Sequence, residues 1–383
     1  MARYFDHNAT TPLDDRVLEA MLPYMRESFG NPSSLHSFGR LARTALDQAR
    51  EQVAALVGAH PSQILFTSGG TEANNTALKG IAGLHHGGTL LVSAVEHASL
   101  LAPATALTRH GWTQERLAVD GDGRVTPQML QAHLTPETRL VSVMAANNET
   151  GVLQDIPALA AVAAEHGVPL HTDAVQLAGK GVVNFAASGA ALMSLSAHKL
   201  YGPKGVGALV VERRIELEPL LHGGGQEQGR RGGTENLAGI VGFGRAAELA
   251  ALELETRRTH LWDLRQRFEA QLAQQLPQAV VFGAAAERLP NTVFMALPGI
   301  DGQTLLMGLD QQGFALASGS ACGSAENEPS HVLQAMGVAP ELARGAIRVS
   351  FGKANDQQDV DALIGALVQQ AGRLTAMAAT AWI

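Results

Sequence analysis

The sequence predicts an α/β protein with two parts: a large domain on a mostly parallel sheet and a smaller α+β domain. Two observations carry this. From Ile64 onward, short apolar runs at 64–66, 90–92, 140–144, 169–171, 192–195 and 208–211 alternate with helix-like stretches. Strands covered by helices on both faces read as continuous hydrophobic runs, so this alternation is the pattern of βα units. After about Leu254 the composition changes to a charged, helical segment at 255–276, followed by new strand-like runs at 291–297, 314–317 and 347–351. The expected division is residues 13–253 for the large domain, with 1–12 and 254–383 forming the small one.

At 383 residues the chain is long enough for a sizeable core, and 46% hydrophobic residues mark it as globular. A net charge of −8 with 4% aromatic residues argues against a phosphate-backbone footprint or a base-stacking platform, so nucleic acid is not an expected partner. The N-terminus reads as neither a signal peptide nor an anchor, and no apolar run is long enough to span a bilayer. No membrane partner and a cytoplasmic location are expected. The single cysteine, Cys322, excludes an internal disulfide, and the 14 histidines include no HExxH motif, so no protein-bound metal is expected.

Taken in order, residues 4–13 read as an arm with Asn8 and Pro12 as turn formers. Residues 30–36 form a polar loop that is either a site wall or an ordinary lead into the amphipathic helix expected at about 40–57. Residues 66–74 read as strand, Gly-rich turn and helix start. The free N–H groups and positive dipole end at such a junction suit a phosphate, and Thr71 adds a hydroxyl. It is not a P-loop, because no GK[ST] follows. His97 follows the run ending near Ser93 and reads either as a stacking or proton-transferring imidazole or as a solvated helix start. Asn147 to Gly151 offers amides at another strand end. Asp173 offers a carboxylate at the next, with a helix N-cap as its structural alternative.

Residues 194–205 run from an apolar strand into Ser196, His198 and Lys199, then through a Gly/Pro turn with Lys204 into a second strand. A lysine buried there can condense with an aldehyde, because burial lowers its pKa and frees the amine lone pair. Alone, the segment reads as well as a solvated turn. Ligands in open α/β sheets sit at the carboxyl ends of the strands. A phosphate cradle, carboxylate, amides, imidazole and lysine all fall at such ends, which is what a pyridoxal 5'-phosphate site requires.

On six segments the sequence resembles the class V aminotransferase family of fold-type I pyridoxal-phosphate enzymes, and within it the cysteine desulfurases of the NifS/IscS type. These are Tyr4 to Pro12, Gly30 to Ser34, Thr67 to Glu72, Asn147 to Gly151, Ser196 to Lys199 and Ser318 to Cys322. The resemblance implies that Lys199 is the Schiff-base lysine, Asp173 the partner of the ring nitrogen and His97 the stacking imidazole. It places Gln176 and Asn148 near the ring hydroxyl, and Gly70, Thr71, Ser196 and His198 around the phosphate. It makes Arg348 the grip on the substrate carboxylate, with Asn148 also near the substrate. It also implies a homodimer with shared sites, in which Thr234 reaches the neighbouring subunit's phosphate.

The setting of Cys322 among small and polar residues reads as an exposed loop rather than a core position, and by resemblance the cysteine takes sulfur from L-cysteine as a persulfide, leaving L-alanine. Two features depart from the family: Gly323 stands where threonine or serine is common, and residues 376–383 do not resemble the tail offered to iron–sulfur scaffolds. The sulfur-accepting protein, whether such a scaffold or a thio-modification enzyme, is thus left open. The rival expectations are a selenocysteine lyase or aminotransferase with an incidental cysteine, and a non-catalytic scaffold or regulatory subunit.

Overall fold

The computed structural model describes residues 3–318 and 329–380, with side chains through residue 377. Its strands in chain order are β1 (Arg3–Tyr4), β2 (Ile64–Thr67), β3 (Gly88–Ser93), β4 (Trp112–Leu117), β5 (Thr138–Ser142), β6 (Leu170–Asp173), β7 (Leu192–Ser196), β8 (Gly207–Val211), β9 (Val280–Val281), β10 (Thr292–Ala296), β11 (Phe314–Ala315), β12 (Ala317–Ser318) and β13 (Ala346–Ser350). The large sheet has the order β2-β8-β7-β6-β5-β3-β4, and only β8 runs against the others. The mostly parallel sheet expected from the apolar runs is present.

Differences from the sequence expectation have local causes. Strand β4 was not expected, because only its ends, Trp112 and Leu117, are buried. Its middle residues are half-buried or exposed, so it lacks the continuous apolar run that the fully buried β2 keeps at the opposite edge of the sheet. The apolar run at 140–144 outlasts β5, which ends at Ser142. Beyond it the chain stays bonded to β6: Val143 N donates to His171 O at 3.0 Å and Ala145 N to Asp173 O at 2.9 Å. That continuation delivers Asn147 and Asn148 beside the end of β6. The apolar run at 314–317 is split into β11 and β12, which join different sheets.

Apolar side chains collect on both faces of the large sheet. One cluster, from Val17 to Ala250, includes the helices Ser37–Leu56 and Leu237–Leu252. The opposite face holds Leu65, Leu78, Leu100 and Leu209. A separate cluster gathers Phe5, residues of the helix Leu254–Gln275, strands β10 and β13, and the C-terminal helix Gln357–Thr380 around the sheet β12-β13-β10-β9. A fourth, with Val95 and Met144 against Phe294 and Val332, joins the two halves.

The N-terminal arm ties these parts to the site. Strand β1 pairs in parallel with β11, Asp6 bridges to Ser350, and Thr11 then lies against the Lys199 turn, where its N and Oγ1 both donate to His198 O. Tyr201, just past that turn, has φ +68°. This left-handed conformation is costly for a bulky residue and persists only where its surroundings over-determine it. Here they do: Tyr201 N donates to Thr11 Oγ1 at 2.8 Å, its hydroxyl accepts from Lys353 N at 2.7 Å, and Arg257 and Lys353 sit over its ring.

Candidate active site

The carboxyl ends of the central strands open onto a cavity of about 340 Å³, within the range of small-molecule sites. Its walls include Gly70, Thr71, His97, Asn148, Asp173, Gln176, Ser196, His198, Lys199 and Arg348. Residues as far apart in the sequence as Asp6 and Arg348, 342 positions, thus meet in one place. Exposed Thr234 does not line this cavity in its own chain, and Cys322 lies outside the described residues.

Lys199 ends the short turn Ala197–Lys199 that follows β7. Its amine donates to the main-chain oxygens of Asn8 and Ala9, the latter at 2.8 Å. Asp173 closes β6 and is not a helix N-cap; its Oδ1 accepts from Val175 N at 2.9 Å and its Oδ2 from Asn74 Nδ2 at 2.8 Å. Those bonds aim a buried carboxylate into the cavity.

His97 caps the helix Ala98–Leu107, accepting from Ser99 N at 3.1 Å, so it stands at a helix start, partly buried rather than solvated, and also lines the cavity. Its Nδ1 lies 2.8 Å from Ser99 Oγ, which in turn accepts from Asn74 Nδ2 at 2.8 Å. A continuous chain of hydrogen bonds therefore runs from Asp173 through Asn74 and Ser99 to His97. Burial lowers the proton affinity of His97, and Lys199 and His331 act in the same direction against Asp173.

One end of the cavity is built for an anion. The helix Gly70–Ala82 starts there without a side-chain cap, so its first N–H groups are unclaimed by a capping residue. Gly69, at φ +154°, makes the entry turn, and an added Cβ on Gly70 would come within 3.0 Å of Val175 Cγ2. Thr71, Ser196, His198 and Lys204 line the adjoining space of about 400 Å³. Glu72, at the same end, is neutralised by Arg231, whose Nε donates to Oε1 at 2.9 Å. Burial works to raise the Glu72 carboxyl, but Arg231 and the Ser68 hydrogen bond outweigh it and hold it below its ordinary value. His198 is pushed down to about 4, first by burial and then by Lys199, Lys204 and Lys180.

At the other end Arg348, in β13, donates from Nη1 to Asn148 O at 2.9 Å and from Nη2 to Asp6 Oδ1 at 2.6 Å. Arg348 lines the cavity, and its Asp6 partner was not anticipated. Asn147 shapes the neighbouring loop, its Oδ1 accepting from the main-chain N–H groups of Glu149 and Thr150.

Sequence reasoning missed Asp6, Asn8, Asn74, Ser99 and Lys180. Asn8 is the most connected of them: its main-chain oxygen takes Lys199 and Gln176, and its side chain meets Lys180, Asn291, Thr292 and Asn148 O. Only its place in the N-terminal motif could have flagged it. Among the described residues, no cluster of histidine, cysteine or carboxylate side chains could hold a metal ion, and no helix is long and apolar enough to cross a membrane.

The donor set fits pyridoxal 5'-phosphate: an amine for its aldehyde, a carboxylate for its ring nitrogen, an imidazole for its face, and a helix terminus with hydroxyls for its phosphate. Comparison with known proteins agrees with that geometry. The aminotransferase class-V family model matches residues 3–363. The cysteine desulfurase IscS of Dictyoglomus turgidum is 44% identical over 364 residues, 94% of this chain and 91% of that protein. A solved NifS-like protein superposes with a TM-score of 0.91 at 37% identity, covering 97% of this chain and all of the other. A solved structure of SspA in complex with cysteine superposes with a TM-score of 0.81 at 36% identity, covering 91% of this chain and 98% of the other. A family match spanning the sheet, the cavity and most of the small half leaves one assignment: the chain belongs to the class-V aminotransferases, among relatives of the NifS and IscS type.

Proposed function

We propose that this protein is a pyridoxal-phosphate-dependent cysteine desulfurase that converts L-cysteine to L-alanine and takes the sulfur onto Cys322 as a persulfide. The observation that carries this reading is the convergence of Lys199, Asp173, His97 and Arg348 on one cavity with a helix N-terminus at its end. When bound, the cofactor supplies an electron sink that stabilises negative charge on the substrate carbon.

The chain's own residues have distinct tasks. Lys199, whose amine is oriented by the main-chain oxygens of Asn8 and Ala9, would hold the cofactor's aldehyde carbon and would carry protons to and from the substrate carbons. Asp173 would keep a proton on the ring nitrogen, and its own orientation is fixed by Asn74 and Val175. His97 covers the ring face, steadied through Ser99. Gly70, Thr71, Ser196 and His198 hold the phosphate. Gln176 and Asn148 would face the ring hydroxyl, and Arg348 would receive the substrate carboxylate beside Asn148. The Cys322 thiolate attacks the substrate sulfur; a sulfur–sulfur bond forms as the carbon–sulfur bond breaks, and protonation of the carbon leaves alanine.

The reading includes a homodimer in which Thr234 completes the partner's phosphate site. Its support is the exposure of Thr234 outside its own cavity and an uncovered apolar surface at Met25, Phe29, Leu35 and Phe38, the last three 76%, 91% and 53% exposed. It also includes the division into 13–253 and 1–12 with 254–383, supported by the separate apolar cluster of the small half. A sulfur-accepting protein, of the iron–sulfur scaffold or thio-modification kind, completes the reaction by removing the persulfide sulfur. The reading is tested by assaying alanine and sulfide from cysteine with and without reductant: both products with reductant support it, and alanine formation from cysteine with no dependence on Cys322 rejects it.

A further inference from the structure

Behind the cavity lies a second lysine that the reaction above does not use. Lys180 is 5% exposed, and its amine donates to Gln176 Oε1 at 2.7 Å and to Asn8 Oδ1 at 2.9 Å. Both acceptors are neutral amide oxygens, and among the described residues the amine makes no ion pair with a carboxylate. The charged groups that bear on it are Lys199 and Arg348, both cations, and its own field reaches His7 and His198. A buried lysine without a carboxylate is expensive to keep, which raises the question of what it does there.

Gln176 gives the answer. Its Nε2 donates to Asn8 O at 2.9 Å, and that same oxygen accepts from Lys199. A carbonyl oxygen only accepts, so it requires the nitrogen end of the Gln176 amide. Lys180 binds the other end and requires the oxygen. With Oε1 held by Lys180 and one N–H spent on Asn8, the amide has one N–H left, and Gln176 lines the cavity.

We propose that Lys180 is a positioning residue that locks the amide of Gln176 in one orientation, so that the cavity receives an N–H donor and the occupant must offer an acceptor oxygen there. The inference rests on the cofactor reading, in which that occupant is the oxygen substituent of the pyridoxal ring. A second consequence runs through Asn8: the oxygen that Lys199 touches is held in place by the same network, since Lys180 and Asn291 fix the Asn8 side chain. Burial, then Lys199 and Arg348, push the Lys180 amine well below the ordinary lysine value. Protonated or neutral, it keeps at least two N–H groups, enough for the two oxygens it meets.

The test uses the full-length protein stripped of cofactor and titrated with pyridoxal 5'-phosphate, read by the visible band and by the dissociation constant. Four variants are compared with the parent: Lys180→Met, Lys180→Gln, Gln176→Leu and the double Lys180→Met/Gln176→Leu. Leaving a buried amide oxygen unsatisfied should weaken cofactor binding roughly tenfold in Lys180→Met and displace the band maximum. Lys180→Gln, which keeps a donor, should recover part of both, and Lys180→Met should have little further effect once Gln176 is leucine. Full additivity of the two substitutions would overturn the inference. So would a Lys180→Met protein that melts lower but keeps the parental band and affinity, or a folded Lys180→Gln protein with a defect as large as that of folded Lys180→Met. If the parent itself takes up no pyridoxal phosphate on Lys199, the cofactor reading fails and this inference falls with it.

Discussion

Arg348 and Asp6 offer a way to separate holding the site together from holding the substrate. Their ion pair is 2.6 Å long, with side chains only 7% and 20% exposed. Arg348→Ala leaves the Asp6 carboxylate without its partner in a poorly solvated place, a loss on the order of 3 to 5 kcal/mol, nearer the lower figure because Asp6 keeps some contact with water. For 383 residues the unfolding entropy is about 0.8 kcal/mol/K, so the melting temperature should fall by about 4 °C. Removing both partners, in Asp6→Ala/Arg348→Ala, takes away the stranded charge and should restore much of that loss.

Affinity should behave otherwise. A substrate carboxylate that loses a charge-assisted bond to the guanidinium loses roughly 10- to 100-fold in KM, in the single and the double variant alike. The assay is therefore a melting scan paired with KM for L-cysteine. A double variant with recovered stability and a near-parental KM would refute the substrate role of Arg348 and reduce it to the counter-ion of Asp6.

Borohydride reduction of the yellow protein should fix the cofactor on Lys199; peptide mapping that finds it on Lys204 would move the site. Asp173→Ala should melt close to the parent but lose turnover by orders of magnitude, and undiminished turnover would remove the ring-nitrogen role. Mixing Lys199→Ala chains with Thr234→Ala chains should regenerate one intact site per mixed dimer, and mixed dimers with no site of parental cofactor affinity would end the shared-site proposal. His171 sits fully buried between Ser142 and Ser194, 2.8 and 2.9 Å from its two ring nitrogens, and burial pushes it down to about 3. Because the unfolded chain then binds the proton first, this contribution to stability is whole above about pH 6.5 and is lost as pH falls towards 3. By pH 4.5 the loss amounts to roughly 2 to 3 kcal/mol. Urea melts of the parent and His171→Gln should diverge in slope across that window, and parallel pH profiles would contradict it.

The strands were legible where they are buried along their whole length, as at β2 and β7, and illegible where they are not, as at β4, because only full burial writes an unbroken apolar run. The cavity's lining was legible where polar residues stand at a strand's end: Asp173 closing β6 and Lys199 in the turn after β7. Asp6 and Asn8 were not, since their importance arises when a short arm crosses to partners such as Asn291, 283 residues away. Lys180 carries no local signal either. It reads as a surface charge after a Gly, and only the packing of the small half over it makes it a buried donor. Asn74 and Ser99 look like ordinary helix residues until the sheet brings their helices side by side over Asp173.

The central claim is that a cysteine thiolate, separate from the cofactor machinery, takes the sulfur. Cys322→Ala tests it most directly. Given L-cysteine, that variant should still bind cofactor and substrate, as seen by a change in the visible band, while alanine formation falls to background. The parent without reductant should gain one sulfur on the peptide that carries Cys322. A Cys322→Ala protein that forms alanine from cysteine at the parental rate, with no sulfur gained on that peptide in the parent, would contradict the account and favour a lyase or aminotransferase in which Cys322 is incidental.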